Sequence, residues 1–198
     1  MPNNKRDIDF GRKAASYDES KGNMSRLFYN LLLSQVELKA GANVIDVACG
    51  TGTILREMAD TCPINGFGID MSQNMVDEAK RKCPEMDIQD SRCEATPFAD
   101  NTFDIITVCM AYHHFADKTA FINEAARIIK PGGRLYIADP NFPGVIRVPM
   151  NAVFRVFNIA GKFYTADEIM EGFAASGFIS DGFVKSRYAQ VVRLVMPL

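Results

Sequence analysis

Along this chain, short runs of β-branched and apolar residues alternate with longer stretches in which apolar side chains return every three or four positions. Runs of the first kind predict strands, and stretches of the second predict helices packed by one face. Ile8 to Leu38 has helical spacing, with Leu27, Phe28, Leu31 and Leu32 on one side. Gly22-Asn23 predicts a break that splits it in two. Val44 to Val47 reads as a strand, Thr53 to Ala59 as a helix and Ile64 to Ile69 as a second strand. Ser72 caps the next helix, which turns Met75, Val76 and Ala79 to one side and ends in Lys80-Arg81-Lys82, cations suited to the negative end of its dipole.

Met86 to Ile88 is a short strand. Phe103 to Met110 is a strong one, continuously apolar after Asp104, as expected of a strand covered on both faces. Asp117 starts a helix that Pro131-Gly132-Gly133 should stop, and Leu135 to Ala138 is the strand beyond it. Thr165 with Glu168 three residues on forms a capping box for a helix over 165–176, and Phe178 to Val184 and Val191 to Met196 close the pattern as strands. Strands alternating with helices predict an α/β fold, doubly wound around a mostly parallel sheet of seven strands with an antiparallel closing strand.

Composition adds exclusions. The 198 residues show no repeat or linker and read as a single domain, 1–198. Lys and Arg number 22 against 24 Asp and Glu, so no basic excess is present to neutralise phosphates and no nucleic-acid partner is expected. Cys49, Cys62, Cys83, Cys93 and Cys109 form no Cys-x-x-Cys pair, which suggests neither a disulfide framework nor a metal cluster. The N-terminus is polar, and the longest apolar run, Ile105 to Tyr112, is far below the ~20 residues that span a bilayer. A cytoplasmic protein without an integral membrane span is expected.

The informative segment is Val44-Ile-Asp-Val-Ala-Cys-Gly-Thr-Gly52, where a strand feeds a glycine turn that opens a helix. Ligands of open α/β sheets bind beyond the carboxyl ends of such strands. Asp70 ends the second strand twenty residues past Gly50, where dinucleotide folds place a ribose-binding acid. Two features oppose a nicotinamide dinucleotide. The third glycine of Gly-x-Gly-x-x-Gly is Leu55 here, and Asp46 stands just before the turn. A carboxylate about 5 Å from a pyrophosphate charge costs roughly 3 kcal/mol at an effective dielectric near 20. A ligand with a cationic arm and a ribose suits both acids; the plain alternative is that Asp46 only caps the turn.

Val44–Gly52 resembles motif I of the class I S-adenosylmethionine-dependent methyltransferases, most closely the ubiquinone/menaquinone-biosynthesis group. The resemblance continues in the same order through Phe67 to Met75, Glu94 to Asp104, Ala111 to Phe115, Arg127 to Arg134, Tyr164 to Glu168 and Ser176 to Phe178. It implies a Rossmann-like fold, S-adenosyl-L-methionine as cofactor, an N-terminal helical cap over about 8–39 and a variable substrate segment over about 141–163. It also implies site roles. Asp46 and the backbone of Ala48, Cys49, Gly50 and Gly52 would hold the methionine arm, and Asp70 the ribose. Met71 would pack on adenine, residues from Met110 would line the methyl-transfer side, and Tyr17 would close over the cofactor. The family's usual acid on the adenine amino group is replaced by Arg92, so either the backbone at Cys93 or the nearby Asp90 takes that role.

His113 and His114 follow the fourth strand and are the candidate bases, since imidazole titrates near neutrality; at most one of two adjacent side chains should face the substrate. The other reading has one histidine capping a helix and the other packing. Asp139 ends a strand at the ligand edge, and Asp139-Pro140 reads as the start of a turn in preference to a catalytic role for the acid. In 143–161, Arg147, Asn151, Arg155 and Asn158 form a narrow polar stripe on an otherwise apolar helix. Core packing, a lid over an apolar acceptor, a homodimer contact and a membrane-surface helix all fit that pattern. Two arginines without a nearby acid suggest a small-molecule acceptor carrying an anionic group. A methyltransferase is expected; the alternative is a protein that binds S-adenosylmethionine without catalysis.

Overall fold

The computed structural model describes residues 17–157 and 161–198, with side chains from residue 24 onward. In chain order the elements are α1 (Tyr17–Leu33), β1 (Asn43–Val47), α2 (Thr53–Thr61), β2 (Asn65–Asp70), α3 (Gln73–Lys82), β3 (Asp87–Asp90) and β4 (Phe103–Cys109). A 3-10 turn (Tyr112–His114) leads to α4 (Lys118–Ile128), β5 (Ile129–Pro140), α5 (Gly144–Val156), α6 (Ala166–Ala174), β6 (Ile179–Lys185) and β7 (Ala189–Val195). The seven strands form one sheet in the order β3-β2-β1-β4-β5-β7-β6. All pairs are parallel except those of β7, which runs antiparallel to both β5 and β6. This is the doubly wound, Rossmann-like architecture expected from the sequence.

The strands are apolar on both sides because both sides are covered. Val44 packs with Leu32, Leu55, Met58 and Val76 on one face, while Ile45 and Val47 join Phe121, Ile122 and Phe173 on the other. Ile105 and Ile106 divide in the same way, as do Leu135 and Tyr136. Successive side chains of a strand point to opposite faces, so each continuous apolar run feeds two cores.

Three local expectations are corrected. Gly22-Asn23 lies within an unbroken α1, which ends at Leu33 rather than Leu38; residues 8–16 of the expected helix fall outside the described residues. Packing of Phe28 and Leu32, both buried, outweighs the ~1 kcal/mol that glycine costs inside a helix. Pro131-Gly132-Gly133 does not stop α4, which already ends at Ile128; it lies inside β5. There Ile129 pairs with Phe103, the register shifts before Ile105, and Gly132 at φ 76° absorbs the irregularity. Asp139-Pro140 forms no turn, being the paired end of β5 opposite Gln190 and Ala189.

Candidate functional site

The chain leaves β1 into α2, which packs on one face of the sheet, and leaves β4 into α4, which packs on the other. A crevice must open between two adjacent parallel strands whose connections diverge, beyond their carboxyl ends. A cavity of about 320 Å³ occupies this place. Its walls come from the ends of β1, β2 and β4, the segment 91–94 after β3, and the 3-10 turn.

Backbone conformation shapes the floor. Ala48 and Met110, just past the ends of β1 and β4, both hold positive φ, 58° and 56°. Such left-handed non-glycine residues cost energy and are held only where the surroundings fix them. Here Cys49 N–H donates to the Ile69 carbonyl and Met110 N–H to that of Ala138, so neighbouring strands pin both turns.

The two motif glycines have different tasks. A Cβ on Gly50 (φ 54°) would meet nothing within 4 Å, because that side is the open cavity. A Cβ on Gly52 (φ 77°) would lie 3.1 Å from the Ala79 Cβ; this glycine lets α3 approach and does not line the cavity. The close helix–strand contact missing with a leucine at position 55 is recovered from the other side. Gly68 on β2 makes room for Leu55, whose Cδ1 would be 3.0 Å from a Cβ added there.

Asp46 is almost wholly buried and lines the cavity. It stands opposite Thr107 in register and accepts a 2.7 Å bond from that hydroxyl. Burial pushes its carboxyl up to about 7, against the opposing effect of the Thr107 bond; the charge of Asp70 raises it further. Asp70 receives Gly50 N–H on one oxygen and Ser72 N–H on the other, both at 2.9 Å. It thereby ties the glycine turn to the end of β2, and its remaining lone pairs can still accept from hydroxyls. The Cys49 and Cys109 thiols are pushed up by burial, as is Cys93, to about 12, so none of the three is a reactive thiolate.

His114, exposed, also lines the cavity. His113 points elsewhere. It is buried, with Nδ1 2.7 Å from Oδ1 of the fully buried Asp139. The two imidazole rings touch at a tilt of 44°, with centroids 3.9 Å apart. Burial raises the Asp139 carboxyl and His113 draws it back.

Of the residues picked from sequence, Asp46, Ala48, Cys49, Gly50, Asp70, Met71, Cys93, Met110 and His114 all meet at this cavity. Gly52 and His113 lie behind it, and the side chain of Tyr17 is outside the described residues. Ser91, Arg92, Cys93 and Glu94 line the cavity and Asp90 does not. Sequence reading did not single out Tyr29, Ile54 and Met75 as lining residues. Met75 reads as an inward residue of its helix, and Tyr29 arrives on α1 from a distant part of the chain with no local signal. Arg147 also departs from expectation, since Glu168 pairs with it at 2.9 Å and removes it as an anion site.

The groups present fit an adenosylated sulfonium amino acid. No cation among the described residues pairs with the Asp46 carboxylate, Gly50 leaves open room beside it, and Met71 and Ile54 give apolar surface next to Asp70. The fold is shared with solved S-adenosylmethionine-dependent methyltransferases. Residues 45–137 match the methyltransferase domain family. The chain is 34% identical over 140 residues to the demethylmenaquinone methyltransferase of Listeria welshimeri, covering 65% of this chain and 59% of that protein. It thus spans about three fifths of the length of this curated relative. Among solved structures, a SAM-dependent methyltransferase from Aquifex aeolicus superposes with a TM-score of 0.75 at 22% identity, covering 94% of this chain and 98% of that one. The methyltransferase in complex with the Haloferax volcanii Trm112 methyltransferase activator reaches 0.83 at 22% identity, covering 96% and 98%.

Proposed function

We propose that this protein transfers a methyl group from S-adenosylmethionine to a small-molecule acceptor held beside His114. The observation that carries the reading is a single cavity lined by the Asp46 and Asp70 carboxylates and by the His114 imidazole. Asp46 holds the ammonium of the methionine arm, Asp70 the ribose hydroxyls, Met71 one face of adenine and the Cys93 backbone its edge. The bound cofactor supplies a methyl on a sulfonium, a good leaving group for in-line displacement.

Such a displacement needs little covalent help from the protein. Most of the acceleration comes from holding the acceptor atom roughly 3–3.5 Å from the methyl in a site that excludes water. Where the acceptor carries a proton, His114 takes it. His113 and Asp139 act behind it, fixing the ring against which His114 packs. The matched relatives are named for demethylmenaquinone, so that compound is the first acceptor to test.

The test has two arms. Calorimetry with S-adenosylhomocysteine should show binding that Asp46→Asn and Asp70→Asn each weaken, and labelled S-adenosylmethionine should pass its methyl to an acceptor in a panel headed by demethylmenaquinone. Absence of binding overturns the cofactor site. Binding without transfer to any acceptor overturns the catalytic reading and leaves a binding protein.

A further inference from the structure

Helix α5 is built the wrong way round for a helix of a globular domain. Arg147 and Asn151 of its polar stripe face the protein, and most of its apolar residues face out. Arg147 pairs with Glu168, and Asn151 gives Nδ2–H to the Phe163 carbonyl while its Oδ1 accepts Phe163 N–H, both at 2.9 Å. No residue of the helix is buried. Val145 is 84% exposed and Val156 72%, with Phe157 just past the helix end at 70%; Val148 and Val153 complete the face. An apolar face this continuous marks a contact surface.

Charge separates the candidate occupants. Residues 140–166 contain no Asp or Glu, and neither do residues 182–198. The two acid-free segments meet, because Asn141 N–H donates to the Tyr188 carbonyl and so sets the β6–β7 turn beside the start of α5. That turn carries Lys185 and Arg187, the latter over the half-exposed Tyr188 ring, and Arg155 is exposed on α5 itself. The edge therefore combines an apolar helix with flanking cations and an interfacial tyrosine, in a chain whose net charge is −2.

Area decides the remaining choice. A helix of 13 residues is about 20 Å long and offers a footprint of roughly 200 Å². A stable pair of proteins needs about 800 Å² on each partner. A lipid surface has no such minimum: apolar burial of one helix face plus attraction of a few cations to anionic headgroups is enough. We propose that the outer face of α5, with the β6–β7 turn, rests on an anionic lipid surface. The Phe154–Phe163–His113 ring series, continued by the His113–His114 ring contact, connects this helix to the cavity wall. The inference does not depend on methyl transfer.

The full chain should co-sediment with vesicles of phosphatidylcholine containing a quarter phosphatidylglycerol, bind several-fold less to phosphatidylcholine alone, and be released by high salt. The double variant Val145→Glu, Val153→Glu should lose about tenfold or more of that binding, while its S-adenosylhomocysteine affinity and melting temperature stay those of the parent chain. Failure to bind anionic vesicles, or equal binding by the double variant, overturns the proposal. So does light scattering that shows a dimer dissolved by the same substitutions in the absence of lipid. An unfolded variant would be replaced by Arg155→Glu with Arg187→Glu, whose binding should fall in the same assay.

Discussion

The carboxylate of Asp139 and the imidazole of His113 form a closed pair, 2.7 Å apart, at the end of β5 beneath the cavity wall. The second oxygen of Asp139 has no hydrogen-bond partner among the described residues. Removing one member would strand the other. Asp139→Ala should destabilise the protein by about 1–3 kcal/mol in denaturant unfolding, because a buried imidazole N–H is left unsatisfied. Asp139→Asn, which can still accept from Nδ1, should retain most of that stability. It should lower the transfer rate and move its pH profile without changing S-adenosylhomocysteine affinity, as a positioning role behind His114 requires.

Asp46 predicts a pH dependence whose sign can be worked out. Its folded value, about 7, lies above the ordinary carboxylate value of 3.8. The associated stability of the free protein is thus complete below 3.8 and lost as pH rises through 7. A cationic ligand favours the ionised carboxylate, so S-adenosylhomocysteine should bind more tightly, and raise the melting temperature more, at pH 8 than at pH 6. In Asp46→Asn both trends should flatten and affinity should fall about tenfold or more, ~1.4 kcal/mol. Calorimetry and thermal melts across this range would show it.

The motif glycines should fail differently. Gly52→Ala places a methyl 3.1 Å from the Ala79 Cβ at a positive φ, and unfolding should show a loss of about 1–3 kcal/mol. Gly50→Ala meets no neighbour, so its stability cost should stay near the ~1–2 kcal/mol of the left-handed conformation alone. Its larger effect should be on ligand affinity, since the methyl enters the cavity.

Gly68 and Leu55 should be energetically coupled. Gly68→Ala meets Leu55 Cδ1 at 3.0 Å and Ile88 Cδ1 at 2.8 Å and should destabilise, and Leu55→Ala should destabilise by leaving a cavity. Together they should cost less than their sum, by about 0.5–3 kcal/mol in a double-mutant cycle. Strict additivity would mean that the missing third glycine is compensated elsewhere.

The sheet was legible in the sequence because its strands are buried on both faces and read as apolar runs such as Ile105 to Val108. The cofactor end of the site was legible for a related reason: Asp46, Gly50 and Asp70 sit at strand ends, where topology dictates the position. What could not be read was whatever depends on contacts between distant segments. Arg147 looked unpaired because Glu168 is 21 residues away, and Asp139 looked like a turn residue because its partner His113 lies 26 residues earlier. The inverted packing of α5 was hidden for the same reason, since periodicity marks a stripe without saying which side faces in.

The divergence of the chain at β1 and β4 separates the molecule into two halves with different liberties. One half of the crevice is drawn from residues 46–94 and is fastened by main-chain bonds at Cys49, Gly50 and Ser72. The other draws on the 3-10 turn and, through it, on 161–163 and α5, which are attached by the Lys162 N–H bond to the His113 carbonyl and by the Arg147–Glu168 pair. Transplanting 141–163 from another protein of this fold should therefore exchange the acceptor while the nucleoside pocket stays intact, provided that those two attachments are kept.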